Sequence, residues 1–301
     1  MELSENFRLP DFWQRPFALI IDLVLLSLTC QVVAMFMPNF LAQHIVLAHL
    51  IGILVGVVYF AVMDSGITQG MTVGKMLMRI RTVNARGEYL PIWQAGVRSV
   101  PVLLPVILYG APFPRDLILS WSGPLISMML YGLLVNQVLM YWFEKKQRRM
   151  LHDRWCNTVV IREDDHAPQF EEMSNYLRAV MIGVVVVSLT LPFLLPMLFV
   201  EKRLDRFDRL YSSLDQRPDI LTLQIRQGIV GRDSTDYVLD IRLKVSEKPE
   251  DMPAFIDELG TLIKRDYPEV AKLAGVHLGI KYGFDMGLTA TYSSESTRFV
   301  P

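Results

Sequence analysis

Four long stretches of the chain are almost free of charge: residues 17–37, 45–63, 117–143 and 179–200. At 1.5 Å per residue, each is long enough to cross a hydrocarbon core of roughly 30 Å. A run such as Val180-Met181-Ile182-Gly183-Val184-Val185-Val186-Val187-Ser188-Leu189 leaves no polar face for water. The pattern therefore predicts membrane spans, not the buried helices of a soluble core. The first stretch follows an acidic N-terminus and has no small-residue cleavage site after it, so it reads as a retained span.

A fifth stretch, 99–113, is apolar but short, with Pro101, Pro105 and Pro112 inside it. Its length fits either a kinked span or a re-entrant segment. Before it lies a polar segment, 64–96. There Ile80-Arg81-Thr82-Val83-Asn84-Ala85-Arg86-Gly87-Glu88 reads as a short strand and a turn, and Pro91 as the start of a helix. Pro114-Arg115-Asp116 reads as a turn, and 144–178 as a polar connection.

After Val200 charged residues become frequent and no further run could span. Residues 201–217 place Leu204, Phe207, Leu210, Tyr211 and Leu214 at helical spacing, which predicts a juxtamembrane amphipathic helix. Beyond it, 220–230 and 237–245 alternate like paired strands around a turn at 231–235. Residues 252–266 have helical periodicity. Residues 276–281 and 288–292 read as a second hairpin turning at Gly283-Phe284-Asp285-Met286-Gly287. The expected fold is an α-helical polytopic membrane domain of about five spans plus a small C-terminal α+β domain of order ββαββ. The parts are an N-terminus at 1–16, a membrane domain at 17–162, a connector at 163–178, the last span at 179–200, the amphipathic helix at 201–217 and the soluble domain at 218–301.

Charge decides the orientation. Arg8 and Arg15 precede the first span; Lys75, Arg79, Arg81, Arg86 and Arg98 lie between the second and the Pro-rich run; Lys145, Lys146, Arg148, Arg149 and Arg154 follow the long span. The turn at 38–44 has no Lys or Arg. If 99–113 crosses, all three basic segments share one side, which the positive-inside rule makes the cytoplasm. The C-terminal domain is then extracytoplasmic. The formal net charge is only −1, so nothing points to nucleic acid. Five His and two Cys, widely scattered, suggest no metal cluster and no disulfide.

Three features carry chemistry. Arg15 and Asp22 lie seven residues apart, two turns on one helix face, and Asp22 sits inside the apolar run, where a carboxylate needs a partner or a water pocket. His152-Asp153 follows a basic cluster; it reads as a cytoplasmic turn with Asp153 paired to an Arg, or as a proton relay. Ala48, Gly52 and Gly56 form a small-residue stripe that permits close packing, within the chain or in a homo-oligomer. Asn136 and Gln137 can bond across helices or line a pathway. Trp93, Trp121, Tyr141 and Trp142 suit interfacial belts. Thr72-Val73-Gly74-Lys75 lacks the spacing of a phosphate loop.

The sequence resembles the RDD family of membrane proteins, named for one Arg and two Asp. The resemblance rests on Arg15-Pro16-Phe17-Ala18-Leu19-Ile20-Ile21-Asp22, on Thr72-Val73-Gly74-Lys75 followed by Ile80-Arg81-Thr82-Val83 and Arg98, and on Leu151-His152-Asp153. It covers about residues 9–162; Cys156-Asn157-Thr158 stands where the family has Ala-Gly-Thr. It implies name-giving positions at Arg15, Asp22 and Asp153, with Lys75, Arg98 and His152 as secondary candidates. It also implies a membrane domain of poorly defined role, sometimes proposed to transport ions or small solutes; the expected placement is the plasma membrane. The expectation is a non-enzyme without cofactor, since no nucleophile–base or metal constellation is present. Either it transports an ion or small solute through the charged network, or it is a scaffold whose C-terminal domain binds another membrane or periplasmic protein.

Overall fold

The computed structural model describes residues 10–108, 122–144, 147–165, most of 174–190, 207–229 and 237–299. The expected turns at 114–116 and 231–235, Lys145, Lys146, Trp121 and the stretch 191–206 lie outside them.

Among the described residues, two helices have the length and apolarity to cross a membrane: α1 (Gln14–Phe36) and α3 (Ile45–Met63). Along α1, Ala18, Asp22, Leu26 and Cys30 recur at four-residue steps and are at most 2% exposed. The opposite face shows Phe17, Ile20, Val24 and Leu28, each more than half exposed. α3 repeats the arrangement, with Gly52, Gly56 and Phe60 inward and Leu50, Leu54 and Val58 outward. Such faces would be costly in water, and hydrocarbon supplies their natural surroundings. A short helix, α2 (Pro38–Gln43), lies between the two.

The polar segment after α3 builds α4 (Val73–Met78) and β1 (Ile80–Asn84). α5 (Ile92–Leu108) then runs through Pro101 and Pro105 without ending. Its start at Ile92 makes it about 25 Å long, longer than the 99–113 stretch suggested; residues 109–113 are outside the described ones. α6 (Ser122–Phe143) is followed by α7 (Leu151–Trp155) and β2 (Thr158–Arg162). β1 and β2 pair antiparallel, Ile80 opposite Arg162 and Asn84 opposite Thr158. A strand read within the 64–96 segment and a stretch of the 144–178 connection thus form one two-stranded sheet.

The molecule divides into two units: 1–33, 49–194 and 286–289 make the first, and 34–48, 195–285 and 290–301 the second. In the first, Gly52 and Gly56 of the small-residue stripe are closely packed. A Cβ at Gly56 would stand 3.1 Å from a Leu103 methyl, and one at Gly52 would collide with the Met286 carbonyl oxygen.

The second unit holds α8 (Asp208–Asp215), β3 (Ile220–Ile229), β4 (Tyr237–Val245), α9 (Met252–Asp266), β5 (Gly275–Asp285) and β6 (Ala290–Phe299). The sheet order is β3-β4-β5-β6, with β4 and β5 parallel and the outer pairs antiparallel. α9 is the crossover that a parallel pair requires, and the Asp251 side chain caps it by accepting from the Ala254 amide at 3.0 Å. Leu239, Ile241 and Leu243 alternate inward and join Leu210, Leu214, Leu259 and Ile263 in one core. The second hairpin is longer than its sequence suggests and turns at 286–289, where the Met286 amide donates to Thr289 O at 2.9 Å. Gly283 is not part of the turn. It lies in β5 at φ +139°, where a Cβ would strike the Thr291 carbonyl.

Candidate functional site

α1, α3, α4, α5 and α7 bring five charges into a row at one end of the first unit. Asp153 is fully buried. It accepts from Arg98 twice, Nη2 at 2.5 Å and Nε at 3.0 Å, and from Arg15 Nη1 at 3.3 Å. It also accepts from the Met150 amide at 3.1 Å, which starts α7. Arg98 uses its remaining nitrogen, Nη1, on Asp64 Oδ2 at 2.5 Å. Asp64 Oδ1 accepts in turn from Lys75 Nζ, which also donates to Thr82 Oγ1 at 2.8 Å. The order is Arg15–Asp153–Arg98–Asp64–Lys75, with signs alternating throughout. None of the five is more than 9% exposed. Charges removed from water to this degree persist only when paired and hydrogen-bonded, and here each is.

Asp22 is held differently. Its partners are neutral: Tyr59 OH at 2.7 Å, Thr72 Oγ1 at 2.6 Å and the Gly74 amide at 2.8 Å. Its burial is therefore matched by the loop that opens α4, and not by Arg15. That loop, which lacks the spacing of a phosphate loop, holds this carboxylate instead. Gly74 is required there, since a Cβ would sit 2.1 Å from Ala18 O on α1. The Arg15 Nη nitrogens instead donate also to backbone carbonyls, Val160 O at 2.9 Å and Arg148 O. β2 supplies the first of these, so the β1–β2 pairing positions an acceptor that sequence spacing could not reveal.

The Arg98 and Arg15 guanidiniums outweigh burial and hold the Asp153 carboxyl well below the ordinary carboxylate range. Burial pushes the His152 imidazole down to about 3, against the pull of Asp153. His152 is thus neutral near pH 7, and its Nδ1–H donates to Gln137 Oε1 at 2.8 Å. Burial also lowers the Lys75 ammonium, with Asp64 acting against it.

Arg15, Asp153, Arg98, Lys75 and His152 are thus brought together, with Asp22 beside them on its own partners. Asp64 was not among the sequence candidates. A signal existed: it is the only acidic residue between Asp22 and Glu88, in a segment with four Lys or Arg. Tyr141 is a correction to the interfacial belt. It is only 7% exposed and its hydroxyl donates to Phe12 O, whereas Trp93 and Trp142 are exposed. Asn136 bonds Gly132 O within its own helix at 2.9 Å. Among the described residues no three His, Cys, Asp or Glu side chains gather as a metal would require.

Beside this row lies a cavity of about 460 Å³ bounded by α1, α5 and α6, within the usual range for small-molecule sites. Asp22, Asp64, Lys75, Arg98 and Asp153 stand at its polar end. Leu19, Val102, Val106 and Leu134 line the rest.

The model of the RDD family matches residues 9–157 of this chain. The match stops one residue short of β2. No curated protein and no solved structure matches the chain.

Proposed function

Residues 9–157 are an RDD-family domain in a membrane protein, and we propose that this domain moves an ion or small solute through the cavity beside its charged row. One observation carries the reading: a cavity of ligand size ends on buried Asp and Arg side chains inside an otherwise apolar helix cluster. Polar groups at such depth are costly, and they concentrate along substrate and ion paths. Flux into proteoliposomes from the purified full chain tests it. Wild-type protein should carry solute, and Asp22→Asn should abolish flux while the protein stays in the membrane. No flux across a panel of cations and small amphiphiles would overturn the reading.

The proposed placement is a plasma-membrane protein with five spans, a cytoplasmic N-terminus and an extracytoplasmic C-terminal domain. The clustering of Lys and Arg supports it: five spans put all three basic segments on one side. A fluorescent protein that matures only in the cytoplasm, fused at Pro301, should stay dark. Bright fluorescence would mean an even number of crossings.

A second reading, a scaffold whose C-terminal domain binds another protein, draws on that domain's sheet. Arg226, Arg242, Lys281 and Arg298 are exposed at strand positions alternating with the core ones. An acidic partner surface would complement them.

A further inference from the structure

We propose that the cavity takes one acyl chain ending in a carboxyl or ester carbonyl, which deepens the transport reading and rests on it. The carboxylates at the polar end of the cavity are already engaged. Both oxygens of Asp22 accept, from Tyr59, Gly74 and Thr72. Both oxygens of Asp64 accept, from Lys75 and Arg98. Both oxygens of Asp153 accept, from Arg98, Arg15 and Met150. A bare cation would have to share oxygens already held by Lys75, Arg98, Arg15 and neutral donors.

Two donors at the same end are unmatched. Gln137 Nε2 and Arg15 Nε are buried and bond to nothing in the protein, on side chains 9% and 8% exposed overall. Both residues line the cavity. A buried donor left unpaired is costly, so the occupant is a molecule that brings an acceptor oxygen to this depth.

The rest of the occupant is apolar. From Leu134 to Trp142 the cavity follows α6 for about 12 Å. The lining residues Trp13, Val138 and Trp142 are 64%, 57% and 61% exposed, so the mouth opens sideways between α1 and α6. In a bilayer that opening faces lipid chains. An amphiphile can enter from the hydrocarbon with its chain along Val102 and Val106 and its oxygen toward Gln137.

The test uses the full chain in lipid vesicles with two probes: palmitate carrying a photoactivatable diazirine, and phosphatidylglycerol esterified with the same chain. Adducts are mapped by mass spectrometry. The expected result is labelling of α1, α5 and α6 around Leu19, Val102 and Val138. Labelling should fall by about tenfold in Gln137→Leu, the loss of roughly one buried hydrogen bond, and in Val138→Trp, which obstructs the mouth. An unchanged thermal transition in Val138→Trp shows that the fold is intact. Labelling by palmitate alone identifies a free fatty acid, and labelling by both probes a phospholipid chain; both support the proposal. Adducts confined to outward positions such as Leu28 and Val32, or unaffected by either variant, overturn it. Ion flux accompanied by that outcome rejects the acyl ligand and leaves transport standing. Specific labelling without transfer of the chain across the bilayer keeps the site and removes transport.

Discussion

Arg98 grips Asp153 through two nitrogens, Nη2 at 2.5 Å and Nε at 3.0 Å. Its third nitrogen reaches Asp64, so one planar side chain from α5 locks two buried carboxylates that arrive from different helices. A lysine has a single point of charge and cannot reproduce this fork. Arg98→Gln should cost about 3–5 kcal/mol, the range for removing one partner of a buried pair. Arg98→Lys should recover only part of it. Thermal unfolding in detergent reads the loss, and a glutamine variant as stable as wild type would show that the row is not structural.

Asp22→Asn should also destabilise, through Thr72 and Gly74 and not through Arg15. The amide keeps the shape but loses the charge that strengthens these hydrogen bonds, at about 1–3 kcal/mol. Thr72→Val tests the route. If the two groups act as one unit, the double variant should be less destabilised than the sum of the singles. Strict additivity would separate them.

Gly74→Ala should be poorly tolerated although alanine is the better helix former. The added carbon would stand 2.1 Å from the Ala18 carbonyl, so α4 must move off α1. The expected cost is about 1–3 kcal/mol, as for other overpacked sites. Limited proteolysis within 64–80 should accelerate in the same variant. Wild-type stability and cleavage rate would contradict the close approach.

His152 predicts the response to acid. Its folded value, about 3, lies below its unfolded value of about 6.5, so between these limits the unfolded chain binds a proton that the folded chain does not. Stability should be full above about pH 6.5 and fall as pH drops toward 3, by up to about 1.4 kcal/mol per pH unit. Asp153 is also held low, so its contribution is lost only below the ordinary carboxylate range. Between pH 4.5 and 6.5 the opposing contribution comes from Glu144, whose carboxyl pKa is raised by burial. His152→Gln should flatten the slope there; melting curves at several pH values would reveal an unchanged slope if another group is responsible.

How far this was legible in the sequence depends on the kind of signal. The bilayer-facing surfaces of α1 and α3 were readable because apolarity over about 20 residues needs no knowledge of neighbours. Arg15, Asp22 and Asp153 were readable as costly charges, and the resemblance supplied their order. Their partners were not. Asp22 shares a helix face with Arg15 but bonds Thr72, 50 positions away, and spacing along one helix says nothing of a loop folding back. β1 looked strand-like and β2 lay within what read as a polar connection, and their pairing reaches across the helices between them. β6 was underestimated because Ser293-Ser294-Glu295-Ser296 shows no alternation. It is an edge strand, exposed along most of its length, with little need of it.

The row of charges also has a timetable. Lys75 follows Asp64 by 11 residues and Arg98 follows it by 34, so this part can close while synthesis is still under way. Asp153 comes 138 residues after Arg15, a delay of about 7–28 s at ordinary translation rates. Throughout that interval the carboxylate that pairs with Arg15 does not yet exist. Arg15 lies in the first turn of α1, where a long side chain can still reach water. Asp153 on α7 is then the carboxylate that draws it inside, which makes α7 the closing event in assembly of the charged row.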